Sequence, residues 1–367
     1  MEKAGSSSIQ NSLAKYDDGV VRYARLGRKN HSVQIQTAVM KNAYRKRFYR
    51  HRGVSQREVA ALRKDYREML AKETSLGHEV LIISGEDIPR MGLPAVRNLK
   101  NFLEQHCDEV KLLAYVRDPV GYAGSYFQQV VKHGRDELVV PQPHYRAHFE
   151  RFMDVFGRDA VTLRPFDISQ MHEQSIVRDV LHFAGARGPA PEELRINEGL
   201  SYTATKLLFI FNRSGCVSQG NAWLMAARRS LVSLLQEKFD GEKFRFPKSL
   251  FTGDLVDRDD VAWVDAHSGS NFQAGLPQSG AETTHDLESW TQEFTQVTEE
   301  ERKALKKLVA RRGLGVHDDA ATETLLSLLF YAELVRHVPS SAPSELKDVM
   351  FADQKIRWGG QKTRNAS

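Results

Sequence analysis

The chain has 367 residues, 41% apolar and 27% charged, with 52 Lys and Arg against 47 Asp and Glu and a formal net charge of +5. That much apolar material excludes a disordered chain and suffices for one large domain or two ordinary ones, while two cysteines, Cys107 and Cys216, exclude a disulfide scaffold and a four-cysteine zinc site. No run approaches the length of a membrane-spanning helix, no basic-then-apolar leader opens the chain, and the mild positive charge permits an anionic partner without requiring one. The expected location is therefore the cytoplasm or the inner face of the membrane, without stable insertion.

In chain order, Met1 to Ser8 reads as a Gly- and Ser-rich loop, and Ile9 to Tyr16 as the first turns of a helix. Such a loop usually follows a strand, so a central strand is expected ahead of Met1 and reads as missing. Residues 41–52 hold six Lys and Arg interleaved with Tyr44, Phe48 and Tyr49. This run reads first as a solvated helix face with its rings turned inward, and second as a guide for an anionic glycan or nucleic acid. Ser55 with Glu58 three positions on predicts a capping box for a helix over 55–76.

Short apolar runs at 80–83, 110–116 and 160–163 predict buried strands, and helical patterns at about 93–107, 119–133 and 143–156 fall between them. The expectation is a three-layer α/β/α fold with a short parallel sheet. Beyond residue 170 helices dominate, at 175–183, 202–211, 222–239, 299–311 and 320–337. The stretch 240–297 is loop-rich and reads as a lid or substrate-facing insertion. The expected organisation is an α/β core over 1–200, a mainly helical acceptor-side region over 201–340 and a disordered tail over 341–367.

Two motifs carry chemistry. Lys3-Ala4-Gly5-Ser6-Ser7-Ser8 opens a helix, where glycine permits close backbone approach and the helix N-terminus favours an anion. Lysine adds a full charge and the serines add donors, which makes a phosphate or sulfate cradle. Lys precedes the Gly, so this is not a Walker A loop. Arg117-Asp118-Pro119 then ends the second predicted strand, and Ser125 follows Arg117 by eight residues. An Arg at the carboxyl end of a parallel strand and a Ser on the next helix can grip one phosphate.

Together these motifs resemble the nucleotide-binding signatures of the sulfotransferase superfamily, which uses 3′-phosphoadenosine 5′-phosphosulfate (PAPS) and has a P-loop-like fold. Ile83-Ser84-Gly85-Glu86-Asp87 and Asn30-His31-Ser32 look like the bacterial carbohydrate branch. In the first motif Glu2 stands in place of a Pro and Ala4 in place of a hydroxyl residue. The resemblance implies sulfuryl transfer to a hydroxyl of a glycan or glycolipid. Lys3, Ala4, Gly5, Ser6, Ser7 and Ser8 would hold the 5′-phosphosulfate, and Arg117 and Ser125 the 3′-phosphate. Lys3 would also neutralise the leaving phosphate, and no metal is implied.

Two residues compete as the general base. His31 is preferred, because a neutral His suits the task near pH 7 and follows the loop by a few tens of residues. Glu86, at a predicted strand end, is the alternative. The competing functions are a degenerate, non-catalytic nucleotide- or glycan-binding relative and a P-loop nucleotide kinase. Nucleic-acid binding has no accompanying fold motif and ranks last.

Overall fold

The computed structural model describes residues 1–194, 199–216, 222–278 and 286–338. The opening loop leads into α1 (Ser6–Leu13), and β1 (Val21–Tyr23) follows. Next come α2 (Ser32–Val39), α3 (Arg47–Arg50) and the long α4 (Gln56–Thr74). The capping box that Ser55 and Glu58 predict forms with both of its bonds. The chain returns as β2 (Val80–Ile82), which pairs in parallel with β1, Val21 opposite Val80 and Tyr23 opposite Ile82.

The second half of this region repeats the plan. Helix α5 (Leu93–Leu103) precedes β3 (Leu112–Val116), and α6 (Pro119–Lys132) and α7 (Tyr145–Phe156) precede β4 (Val161–Pro165). Strands β3 and β4 pair in parallel from Leu112 opposite Val161 to Val116 opposite Pro165, and α8 (Ile176–Phe183) follows. Parallel partners need long crossovers, and helices supply them here.

The strands thus form two separate parallel pairs, and no ladder joins β2 to β3 among the described residues. The expected short parallel sheet is thus present as two two-stranded pieces. Both pairs nonetheless feed one apolar cluster, in which Val21, Tyr23 and Tyr115 pack with Ile9, Leu13 and Val177. Strand β1 escapes a hydrophobicity reading because it is only three residues long with Arg22 in the middle. That guanidinium is buried between Asp17 and Glu73, at 2.5 and 3.1 Å.

Further on lie α9 (Tyr202–Arg213), α10 (Ala222–Lys238), α11 (Arg258–Ser268), α12 (Leu287–Phe294), α13 (Glu299–Ala310) and α14 (Thr322–His337). Helix α11 stands within the stretch expected to be a loop-rich insertion. Its apolar stripe is thin, Val261 and Val264, but its punctuation is clear. Asp257 caps the first turn, and Gly269 ends the helix in the left-handed conformation, φ 68.

The chain divides into two compact units that are not consecutive in sequence. The first comprises Met1–Ala123, Pro141–Glu198 and Phe251–Ala281; the second comprises Gly124–Val140, Gly199–Leu250 and Glu282–Ser367. One division between the units falls at 198/199, α6 passes between units at 123/124, and α11 belongs with the first. The tail expected over 341–367 lies outside the described residues.

The second unit has an aromatic core in which Phe127 meets Phe209, Phe244 and Phe246 at 5.3 to 5.6 Å. Arg228 is buried beside it. Its guanidinium donates to the carbonyls of Val131 and Lys132 and to Asn212 Oδ1, each at 2.6 Å. These acceptors offset the cost of burial, which still lowers its pKa to about 10.

Candidate functional site

The site is built from first-unit residues. Lys3 and Gly5 both take left-handed backbone angles, φ 64 and φ 78. For a lysine this is an uncommon, strained conformation. Gly5 is the N-cap of α1, where no side chain caps the helix start, and its carbonyl accepts the Ile9 N–H at 3.2 Å. The turn gathers main-chain N–H groups toward one point at the positive end of a helix dipole.

Gly5 is required twice over. A Cβ there would lie 2.8 Å from Phe166 Cε2 and would also overlap Ile176 Cδ1. Ala4, by contrast, is 2% exposed and packs into the apolar cluster. Its side chain faces away from any ligand, so only its backbone can serve a phosphate, and a hydroxyl at this position would be buried.

Arg117 follows directly on β3, and its guanidinium donates to the Lys3 carbonyl at 3.1 Å. It lies 5.8 Å from the centre of the Phe166 ring, and its own carbonyl accepts the Tyr145 hydroxyl. Gly121 lets the guanidinium fold back over the start of α6: a Cβ there would lie 2.9 Å from Arg117 Nε and 2.5 Å from Asp118 Oδ2. The two basic motifs, 114 residues apart in sequence, thus meet at one point. Ser125 lies on α6, on the part of that helix that belongs to the second unit.

Glu86 also reaches the loop. Its Oε2 accepts the Ser6 hydroxyl at 2.8 Å, and its Oε1 accepts Asn30 Nδ2 at 3.2 Å. Gly85 makes this approach possible, because a Cβ there would lie 2.9 Å from both the nitrogen and Oγ of Ser32. Ser32 Oγ in turn accepts the Asp87 N–H at 3.0 Å, fixing the far side of the turn.

His31 is placed differently. It is 0% exposed, it packs 4.8 Å from the Tyr23 ring, and it is tied to Ser84 twice. Its N–H donates to the Ser84 carbonyl at 2.8 Å, and its Nδ1 accepts the Ser84 N–H at 3.1 Å. The proton therefore sits on Nε2, which is buried near the main chain of Ala24 and Arg28 with no well-formed hydrogen bond among the described residues. Burial lowers the pKa to about 4, so the ring is neutral at pH 7. In this position His31 holds the Ser84–Glu86 turn and is shielded from solvent.

This has a pH consequence. Between about 4 and 6.5 the unfolded chain binds a proton at His31 that the folded chain does not, so stability falls as pH drops through that window. One such group contributes about 3 kcal/mol, and half-buried His148, also lowered to about 4 by burial, adds to the loss. His31→Asn keeps an acceptor for the Ser84 N–H without titrating. Urea unfolding of this variant should show a shallower loss between pH 6.5 and 4 than the parent; an identical loss would be the contrary result.

Three residues at the site give little warning in sequence. Glu2 Oε1 accepts the Tyr122 hydroxyl at 2.9 Å and is ion-paired with Arg90. This couple ties the loop to α6 and to the short turn Ile88–Arg90. Glu2 is legible only as a departure from the motif, and Arg90 and Tyr122 are remote from it in the chain. A separate groove of about 370 Å³ beside α5 and α7, lined by Arg97, Lys100, Glu104 and Asp154 among others, contains none of these residues. Two of its charges, Lys100 and Glu104, pair with each other at 3.5 Å, so the loop cluster is the better candidate.

The chain matches no protein-family model, no curated protein and no solved structure. Among the described residues there is no group of three or more His, Cys, Asp or Glu that could hold a metal ion, and no helix long and apolar enough to cross a membrane. The thiols of Cys107 and Cys216 are half-buried and unbridged, and burial raises the pKa of both.

Proposed function

We propose that the chain transfers a sulfuryl group from PAPS to a hydroxyl of a carbohydrate or glycolipid, on a P-loop-like core formed by the two parallel strand pairs and their flanking helices. The observation that carries this reading is the meeting of the Lys3–Ser8 loop with Arg117, at 3.1 Å, and with Glu86, at 2.8 Å. An uncapped helix start, two cationic residues and a carboxylate are the groups an in-line displacement on an anionic donor needs.

In this reading the loop amides and Ser6 to Ser8 hold the 5′-phosphosulfate, and Arg117 contributes positive charge from the end of β3. Glu86, rather than His31, takes the proton of the acceptor hydroxyl as its oxygen bonds to sulfur. The bond between sulfur and the bridging oxygen breaks, and Lys3 neutralises the charge left on the 5′-phosphate of 3′-phosphoadenosine 5′-phosphate. Glu2 is ion-paired with Arg90, which offsets its charge beside the anion.

The test is release of 3′-phosphoadenosine 5′-phosphate from PAPS with sugar alcohols as acceptors. Lys3→Ala should lower turnover about 10²- to 10³-fold, as expected for loss of one preorganised charge. Magnesium-dependent turnover of ATP, with none of PAPS, would overturn the reading.

A further inference from the structure

The charge of this chain is unevenly distributed. Residues 19–57 contain eleven Lys and Arg and no Asp or Glu, while the remaining residues carry 41 basic side chains against 47 acidic ones. A chain of modest net charge thus holds one strongly cationic segment. Two of the eleven, Arg22 and Arg25, face the Asp17 and Glu73 carboxylates. The other nine make no ion pair among the described residues.

The fold turns eight of these nine outward and leaves Lys46 half-buried. Beneath residues 41–52 Ala43 and Tyr49 are buried with Val59 in a small apolar cluster, and Thr37 meets the Tyr49 hydroxyl at 2.8 Å, which fastens the run to α2. Lys41, Arg45, Arg47, Arg50 and Arg52 are exposed above it. Arg28 joins them from the preceding loop: it lies 5.0 Å from the Phe48 ring, and Arg52 lies 3.8 Å from the same ring.

The face also runs up to the candidate site. Arg28 is two residues from Asn30, which bonds Glu86 at 3.2 Å, and α2 starts at that point. Eight helical residues span about 12 Å, so the cationic run at the far end of α2 is about one helix length from Glu86. An extended ligand lying along α2 would reach both.

Three observations narrow the ligand class. Exposed guanidinium groups suit carboxylates, sulfates and phosphates in bidentate geometry, which calls for an anionic ligand. The aromatic faces that could stack nucleobases are occupied, Phe48 by Arg28 and Arg52, and Tyr44 by Arg45 at 5.6 Å. None of the exposed large hydrophobic side chains falls within 19–57, so nothing there would enter a bilayer. From the continuous cationic face between Arg28 and Arg52 we infer that this surface docks an extended anionic polysaccharide. Under the sulfotransferase reading, on which this part alone rests, that polymer is the acceptor and presents a hydroxyl to Glu86.

The test measures binding of the full chain to polygalacturonate and dextran sulfate, with neutral dextran, poly(U) RNA and phosphatidylglycerol vesicles in parallel. Among the described residues Lys41, Arg47 and Arg50 make no side-chain hydrogen bond or ion pair, so the triple K41E/R47E/R50E spares the fold, as its melting temperature will check. A charge-matched triple on α13 and its end, K303E/K307E/R311E, is the control. Affinity for the acidic polysaccharides should fall at least tenfold in the first triple and less than about threefold in the control, with parent binding weakening steeply as salt rises.

Equal losses in both triples would overturn the site, and tighter binding of poly(U) or vesicles than of either acidic polysaccharide would overturn the ligand class. Binding that follows the first triple, without release of 3′-phosphoadenosine 5′-phosphate from PAPS, would leave the docking surface standing and remove the sulfotransferase reading and the acceptor role.

Discussion

Glu86→Gln should lower kcat about 10²- to 10⁴-fold, the range for loss of a general base, while leaving nucleotide affinity within a few-fold. The substitution is nearly isosteric and removes the proton acceptor. Of the two groups that meet Glu86, the Ser6 hydroxyl can reverse and accept from the new amide, and Asn30 can keep donating to the remaining oxygen. The turn should therefore survive, held independently by the paired bonds between Ser84 and His31. Steady-state kinetics of Glu86→Gln beside His31→Asn decides the assignment. Near-normal turnover in the first with a loss of orders of magnitude in the second would return the role to His31.

Gly5→Ala should abolish nucleotide binding and destabilise the chain. Alanine carries a penalty of about 1–2 kcal/mol in the left-handed conformation, and its methyl group would overlap Phe166 and Ile176. Ile176 can yield in part, because its terminal carbon can change rotamer. Phe166 is less free, since its ring faces Gly5 and also lies 5.8 Å from the Arg117 guanidinium. The strain is relieved most directly by moving residues 3 to 6, which breaks the contact between the Lys3 carbonyl and Arg117 and that between Ser6 and Glu86. Calorimetry should find a lower melting temperature and no heat on titration with 3′-phosphoadenosine 5′-phosphate. Unimpaired binding in this variant would mean that the loop does not hold the nucleotide.

What the sequence made legible follows from which signals are local. The three longer apolar runs became β2, β3 and β4, and the Ser55–Glu58 box marked the start of α4. Pro119 at the first position of α6 placed Arg117 at a strand end. The glycine in the opening loop was readable because only its backbone freedom explains a helix starting there at φ 78.

What was not legible depends on burial and on distant partners. His31 has the right residue type for a base, but nothing in Asn30-His31-Ser32 reveals that its ring packs on Tyr23 and that Nδ1 is taken by a main-chain N–H. The Glu2–Arg90–Tyr122 couple joins residues 88 and 120 positions apart. The separation of the strands into two pairs is a matter of pairing, which hydrophobic patterning does not encode. The continuity of the cationic face with Glu86 likewise appears only once α2 is placed between them.

The central claim is that the Lys3–Ser8 loop and Arg117 hold one nucleotide of the 3′-phosphoadenosine type. Thermal unfolding in the presence of 3′-phosphoadenosine 5′-phosphate tests it most directly, with ATP plus magnesium and adenosine 5′-phosphate as comparators. At a concentration one hundred times the dissociation constant, a ligand that binds only the folded state adds about 2.7 kcal/mol. A shift of several degrees is expected for 3′-phosphoadenosine 5′-phosphate alone, lost in Gly5→Ala and reduced in Lys3→Ala. An equal or larger shift with ATP and magnesium, or a shift that survives both substitutions, would contradict it.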